Sequence, residues 1–342
     1  MAKVAPLYFK NKQETEPKDP VGPFRTDPDR YATRPESGLR VTWFGHSSTL
    51  LEIDGMRVLI DPVWEQRASP FRWTGPRRFF APTLRLEELP ELDAVLISHD
   101  HYDHLGATTV QRLAELPCTE RALWLTSMGV GRRLERLGVR DSMICEMDWT
   151  QTVEVPGIAM SQALKVTAWP ARHFSGRGLH DRFSTLWSSF VFEGPQHRVF
   201  YGADSGWWDG FAAIAEKYDQ HPSGRPGCFD LTMLEIGAYH PLWADIHLGP
   251  DGAVRAYKAM GGAQRAGALM PIHWGLFNLA LHGWRQPIEQ LEKAAAKDGI
   301  RLFAPEPGLP TEVNEGQGVR SGWWNGNGNR HAGPEPTATL PS

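Results

Sequence analysis

Ser98-His99-Asp100-His101-Tyr102-Asp103-His104-Leu105-Gly106 follows directly on the apolar stretch Ala94-Val95-Leu96-Ile97. The pattern H-x-H-x-D-H places four metal-preferring side chains, His99, His101, Asp103 and His104, within six positions. Histidine and aspartate are poor core residues, and a charged side chain is almost never fully buried unless paired or bound to a metal. His99 and His101 stand two apart at the end of an extended segment, so they point the same way. Asp103 and His104 follow on the turn into the next helix, where they can face a second metal. A polar loop with chance histidines is the plainer alternative. A strand before the motif and a helix after it argue for the metal.

Further ligands can be sought by residue type. A pair of hydrolytic metals about 3.5–4 Å apart needs more nitrogen donors and usually one bridging carboxylate. His173 follows the extended-looking Leu164-Lys165-Val166-Thr167 within Trp169-Pro170-Ala171-Arg172-His173. Asp204 ends the run Val199-Phe200-Tyr201-Gly202-Ala203, with glycines on both sides to leave backbone room. His273 ends Leu269-Met270-Pro271-Ile272. A single histidine after a strand is more often an ordinary hydrogen-bonded residue. Three strand-end candidates in series behind the first motif carry the signal together.

Taken in order, these residues resemble the metallo-β-lactamase fold superfamily of binuclear hydrolases. A narrower resemblance rests on Val41-Thr42-Trp43-Phe44-Gly45-His46-Ser47-Ser48, Asp61-Pro62-Val63-Trp64, Arg67-Ala68-Ser69-Pro70, Gly75-Pro76-Arg77-Arg78, Ile236-Gly237-Ala238-Tyr239 and Ile272-His273-Trp274-Gly275. These segments are similar to the N-acyl-phosphatidylethanolamine phospholipase D family and its bacterial relatives, from about Val41 to about Leu302. The resemblance implies an α/β fold, a four-layer αββα sandwich with metals at one rim. It implies one ion on His99, His101 and His173 and another on Asp103, His104 and His273, with Asp204 bridging. A hydroxide between the ions would attack phosphorus or a carbonyl carbon. Asp103 would orient that nucleophile. By position, His247 matches a histidine that contacts the substrate head near the phosphate, where it also suits donation to the leaving group. Tyr102 matches a substrate-contacting tyrosine. His46, between Gly45 and Ser47, suits either a hydrogen bond to a ligand or a buried structural role.

The pattern agrees with that fold independently. Leu50 to Ile60 reads as two apolar strands around Asp54-Gly55, a hairpin signal. Thr109 to Leu116 and Pro287 to Ala296 show helical apolar spacing. Ligands spread from His99 to His273 favour one domain over residues 39–305. Residues 1–38, rich in Pro and charge, read as an arm lying over the body or partly disordered, and not as a signal peptide. Residues 306–342, with Trp323-Trp324, Asn-Gly repeats and a Pro/Thr tail, read as a disordered tail.

Composition narrows the chemistry. The chain has 342 residues, 41% of them hydrophobic and 22% charged, which are globular values. A net charge of −4 supplies no basic field for nucleic acid. Cys118, Cys145 and Cys228 are too few and too irregular for a disulfide framework, and read as reduced thiols of a cytoplasmic protein. No run approaches the roughly twenty apolar residues of a membrane span. The loop from Phe71 to Phe80 interleaves arginines with large aromatics. It reads either as a lipid-facing lid, making peripheral membrane contact, or as a long loop packed on the core. The expected cofactors are two divalent ions. Mixed histidine and carboxylate ligation fits Zn2+ best, and Mn2+ or Fe2+ occupy similar sites. The expected substrate is an N-acyl-phosphatidylethanolamine-like phosphodiester. A sugar-lactonase type of ester or lactone hydrolase is the alternative, and a non-catalytic metal- or lipid-binding protein a more distant one.

Overall fold

The computed structural model describes residues 13–157, 163–178 and 180–326. The chain opens as an antiparallel meander, β1 (Leu39–Gly45), β2 (Ser48–Ile53) and β3 (Met56–Ile60). The β2–β3 turn is Asp54-Gly55, with φ of 47° and 86°. Positive φ at both central positions is the turn whose twist matches the flanking strands. β4 (Ala94–Ile97), β5 (Leu123–Ser127) and β6 (Ile144–Met147) continue the sheet in parallel, connected by helices α1 (Ala107–Glu115) and α2 (Gly131–Arg136).

A second sheet begins as another meander: β7 (Thr152–Pro156), β8 (Ala163–Trp169), β9 (Ser189–Glu193) and β10 (Arg198–Tyr201). It then turns parallel through α3 (Gly210–Lys217), β11 (Leu231–Glu235), α4 (Gly249–Ala259), a short α5 (Gly262–Arg265) and β12 (Ala268–Ile272). α6 (Gln286–Asp298) follows, with Pro287 in its first turn and Gly299 ending it at φ 64°. Short pieces β13 (Phe303–Ala304), β14 (Thr311–Glu312) and β15 (Val319–Arg320) complete the chain. β14 joins the first sheet beside β1, giving the seven-strand order β14-β1-β2-β3-β4-β5-β6. The second sheet has six strands, β12-β11-β10-β9-β8-β7.

Strand alternation builds the layers. Leu50, Leu59, Val95, Ile97 and Trp124 point outward and pack with Val110, Leu113 and Leu134 of α1 and α2. Leu51, Val58, Ile60, Leu96 and Leu125 point inward, into the core shared with Val166, Phe190 and Phe192 of the second sheet. That core continues to Phe211, Tyr257 and Leu291 on α3, α4 and α6. The result is an αββα sandwich, with both faces of each sheet buried as parallel strands require.

Both terminal segments have residues packed on the body. Within the arm, Phe24 lies edge-on to Phe80 and Trp323 with ring centroids 5.0 and 5.5 Å away. Asn278 donates to Thr15 Oγ1 at 3.0 Å, and Tyr31 is buried. The disordered tail expected from 306 onward is corrected for residues 306–326. β14 pairs with β1, and Trp323 and Trp324 are 4% and 1% exposed. Trp323 stacks on Trp274 at 5.3 Å, which itself stacks on Trp43 at 5.3 Å. The rest of the expected arm and tail, residues 1–12 and 327–342, lies outside the described residues.

Candidate metal centre

Every candidate ligand sits just beyond the end of a strand, on the rim where both sheets present their strand ends. The backbone there is unusual. His46, Asp61, Ala203, Ala238 and His273 all have positive φ, between 41° and 60°. Non-glycine residues in this region each cost on the order of 1–3 kcal/mol and collect at functional sites. Gly237 serves a close approach, since a Cβ there would lie 1.9 Å from the His273 carbonyl oxygen. Backbone bonds His46 N–Trp274 O (3.2 Å) and His273 N–His46 O (3.0 Å) tie the first sheet's rim to the second's.

The expected ligands converge as two groups. In one, His99 Nε2 is 2.9 Å from His101 Nδ1, and His173 Nε2 is 3.2 Å from the same atom. In the other, His273 Nε2 is 3.2 Å from Asp103 Oδ2, and His104 Nε2 is 3.7 Å from it. Asp204 reaches both. Its Oδ2 lies 3.8 Å from His99 Nε2, 3.5 Å from His173 Nε2 and 3.0 Å from His273 Nε2, while Oδ1 lies 3.2 Å from His104 Nε2. Donors about 2.0–2.1 Å from a tetrahedral ion stand roughly 3.3 Å from one another, so these spacings suit metal ligation. His104 Nε2 and Asp204 Oδ1 are buried and complete no hydrogen bond. Such orphans are rare, and a cation between them satisfies both.

The outer nitrogens fix the tautomers. His104 Nδ1–H donates to Asp61 Oδ2 at 2.7 Å, and His173 Nδ1–H donates to the Ile246 carbonyl at 2.9 Å. His99 Nδ1–H donates to Ser98 Oγ (3.0 Å), whose own proton goes to Asp61 Oδ2 (2.6 Å). Each Nε2 lone pair is thereby turned toward the centre. Burial pushes His99, His101 and His173 below the usual imidazole value, which keeps them neutral and able to ligate. Burial alone would raise Asp103 and Asp204. The surrounding histidines outweigh it and hold both carboxyls well below the usual range. Burial likewise opposes charge on His104 and His273, but the acids prevail. His104 is raised well above the usual value and His273 to about 10. This half of the centre therefore demands positive charge.

Residues 56–274 match the family model of the beta-lactamase superfamily domain. The chain belongs to this superfamily. As a member it is a metal-dependent hydrolase. It is 46% identical over 288 residues to an uncharacterized protein of Mycobacterium tuberculosis, covering 84% of this chain and 72% of that one. The N-acyl-phosphatidylethanolamine-hydrolyzing phospholipase D 1 of Caenorhabditis elegans is 35% identical over 250 residues, 71% of this chain and 65% of that one. Among solved structures, Igni18, a metallo hydrolase from Ignicoccus hospitalis, superposes with a TM-score of 0.57 at 20% identity. That match covers 81% of this chain and 98% of Igni18 and concerns the fold.

Within this β-lactamase-superfamily frame, several residues that the sequence reading passed over prove central. Asp61 is fully buried and accepts from Ser98 N, Ser98 Oγ, His104 Nδ1 and Tyr201 OH. Glu235 is fully buried and accepts from Ser205 N, Leu248 N and His247 Nδ1. Asp100, also buried, accepts from Gly176 N and pairs with Arg133. Asp61 and Asp100 lay within the quoted segments without a role, and for Glu235 the signal was an acid closing an apolar run, Met233-Leu234-Glu235. His46 is buried, and its Nε2–H donates to Asp103 Oδ2 at 3.0 Å, which places it against a candidate ligand.

The expected substrate contacts divide. The His247 ring lies between those of His173 and His273, with centroids 5.1 Å from each. Tyr102 is engaged by Arg177. Its hydroxyl donates to the Arg177 carbonyl at 3.1 Å and the Arg177 guanidinium covers its ring at 3.8 Å, so the phenol oxygen keeps only acceptor capacity. The Phe71–Phe80 loop also divides. Trp73 is 76% exposed and Phe71 51%, packed on each other with centroids 5.1 Å apart. Phe80 is buried, Phe79 packs against Trp284, and Arg78 is buried with its guanidinium on the Trp64 carbonyl. Only the tip of the loop therefore leaves large aromatics exposed. Among the described residues no helix is long and apolar enough to cross a membrane.

Proposed function

We propose that this hydrolase is a binuclear phosphodiesterase acting on N-acyl-phosphatidylethanolamine-like phospholipids, with cleavage of phospholipase D type. The observation that carries the reading is Asp204, a carboxylate set between two histidine groups and within 3.8 Å of a nitrogen in each. Its substrate class is supported by the relatedness to the Caenorhabditis elegans phospholipase D. Two Zn2+ ions would be held, one by His99, His101 and His173, the other by Asp103, His104 and His273, with Asp204 shared. When bound they supply Lewis acidity and a water of lowered proton affinity. Asp103, fixed by His46 and His273, orients the attacking water. His247 stands over the centre between His173 and His273 and contacts the phosphoryl group. The exposed Phe71–Trp73 tip offers an amphipathic surface to lipid, so the chain works at a membrane face.

The test compares wild type with Asp204→Ala, measuring metal content and the hydrolysis of N-acyl-phosphatidylethanolamine in mixed micelles. Wild type should hold about two ions per chain. The variant should lose metal and more than the ~100-fold in turnover typical of outer-partner changes. Near-normal turnover of the variant at saturating zinc refutes the shared carboxylate. Lactone turnover exceeding phosphodiester turnover by orders of magnitude refutes the substrate class.

A further inference from the structure

The proposed chemistry leaves one buried acid without a task. Glu235 closes β11, has no exposed surface, and lies at the meeting point of three loops. Its Oε1 accepts from Ser205 N at 2.8 Å, next to Asp204, and from Leu248 N at 3.0 Å, next to His247. Its Oε2 takes Nδ1–H of His247 at 2.6 Å. His273 Nδ1 is 3.7 Å from the same oxygen, too far for a hydrogen bond. The two backbone amides satisfy one oxygen only. Here the second oxygen is committed at short range to a ring that flanks the ligand cluster.

We infer that Glu235 and His247 form a dyad that delivers a proton to the leaving-group oxygen, with Glu235 as the positioning residue. The inference rests on the phosphodiester reading above and deepens it. Glu235 holds Nδ1–H, so the ring cannot flip and Nε2 becomes the working nitrogen. Nε2 makes no hydrogen bond among the described residues, and it is absent from the buried unsatisfied atoms, so it stays accessible. The water oxygen forms the new bond to phosphorus and sheds a proton to solvent. The bond from phosphorus to the leaving oxygen breaks, its electron pair goes to that oxygen, and the dyad supplies the proton through His247 Nε2. The dyad then recovers a proton from solvent. An oriented neighbouring acid fixes the ring and its tautomer, as in other histidine–acid pairs.

The dyad makes a demand that a structural role does not. A proton donor matters for a poor leaving group such as an alkoxide, and little for a good one such as p-nitrophenolate. Wild type, Glu235→Gln, Glu235→Asp and His247→Asn, each zinc-loaded and checked for equal metal content, are assayed on an alkyl and a p-nitrophenyl phosphodiester. Glu235→Gln and His247→Asn should each lose about 10²–10⁴-fold in kcat on the alkyl ester. On the aryl ester they should lose less than about tenfold, with KM little changed. Glu235→Asp should recover part of the loss. Equal losses on both esters overturn the dyad, as does no loss.

A second readout needs no turnover. In ¹⁵N-histidine spectra of the wild type, His247 should carry a protected, downfield Nδ1 proton that disappears in Glu235→Gln. A wild-type spectrum with Nδ1 unprotonated overturns the dyad whatever the substrate. If wild type cleaves neither ester but shows the protected proton, it is the phosphodiester reading that fails, while the pairing stands. If Glu235→Gln does not fold, His247→Asn leaves the Glu235 backbone bonds intact and decides the kinetic arm.

Discussion

Removing one indole from the C-terminal segment should destabilise the whole protein. Trp323 is 4% exposed and touches six other aromatic rings, its neighbour Trp324 among them. It stacks on Trp274 at 5.3 Å, lies 5.9 Å from Trp43 and 6.2 Å from Trp284, and meets Phe24 and Phe80 at 5.5 and 6.0 Å. A tryptophan buries about 150–250 Å². At roughly 25 cal/mol per Å² that is about 4–6 kcal/mol. Alanine keeps a little of the area, and the cavity relaxes in part, so Trp323→Ala should cost about 4 kcal/mol. A typical domain has about 5–15 kcal/mol in total, so the loss should be plain in a urea titration. The midpoint should fall with the slope unchanged. Trp323 Nε1 has no hydrogen-bond partner among the described residues, so Trp323→Phe gives up area alone. That variant should cost only about 1–2 kcal/mol. Because Trp274 adjoins His273, Trp323→Ala should also weaken metal retention. A cost under about 1 kcal/mol for the alanine variant would refute the packing argument and return the segment to a loose tail.

Two other outcomes are expected. Asp61→Asn replaces an acceptor of four hydrogen bonds by a group that must donate with one arm. Zinc affinity, measured by chelator competition, should fall about 10–100-fold, and an unchanged value would remove Asp61 from its role in aiming His104. Asp54→Asn should preserve the hairpin, since asparagine tolerates the φ of 47°, yet lose a charge that accepts from Gln196 N, His197 N and His197 Nδ1. Burial would raise the Asp54 carboxyl, but the His197 ring and the two amides outweigh it and hold it below its ordinary value. Its contribution is therefore complete above the unfolded carboxyl pKa, near 4, and fades as pH falls through the lower folded value. The variant should be less stable by about 1.5–3 kcal/mol at neutral pH, with the gap closing on acidification. A gap independent of pH would show that the charge is irrelevant.

The candidate ligands, which the structure brings together, could be picked out because metal chemistry writes itself locally. H-x-H-x-D-H crowds its donors into one turn, and His173, Asp204 and His273 each end an apolar run. The hairpin at Asp54-Gly55 and the helices near Thr109 and Pro287 were legible for the same reason, as turn chemistry and periodicity act over a few residues. Asp61 was not legible. Its meaning lies in partners 37, 43 and 140 residues away, and no local rule connects them. Glu235 was hidden in the same way inside a buried strand. Trp323 and Trp324 were misread because glycine and asparagine around them suggest looseness, whereas their burial comes from rings contributed by β1, the His273 loop and the arm. In the Phe71–Phe80 loop, alternation of aromatics with arginines could not tell a buried Phe80 from an exposed Trp73.

The distribution of ligands over two sheets has a consequence for assembly. His99, His101, Asp103 and His104 ride on the first sheet, while His173, Asp204 and His273 ride on the second. Asp103 and His273 are 170 residues apart in the chain. Neither half alone offers more than a partial set, so tight ion capture must wait until the two sheets have docked. An ion gripped from both sides would act as a staple across a separation of 170 residues, opposing the parting of halves that global unfolding requires. Metal supply and fold persistence would thus be coupled through a seam, and a chain deprived of metal should open first along the line where its two sheets meet at the rim.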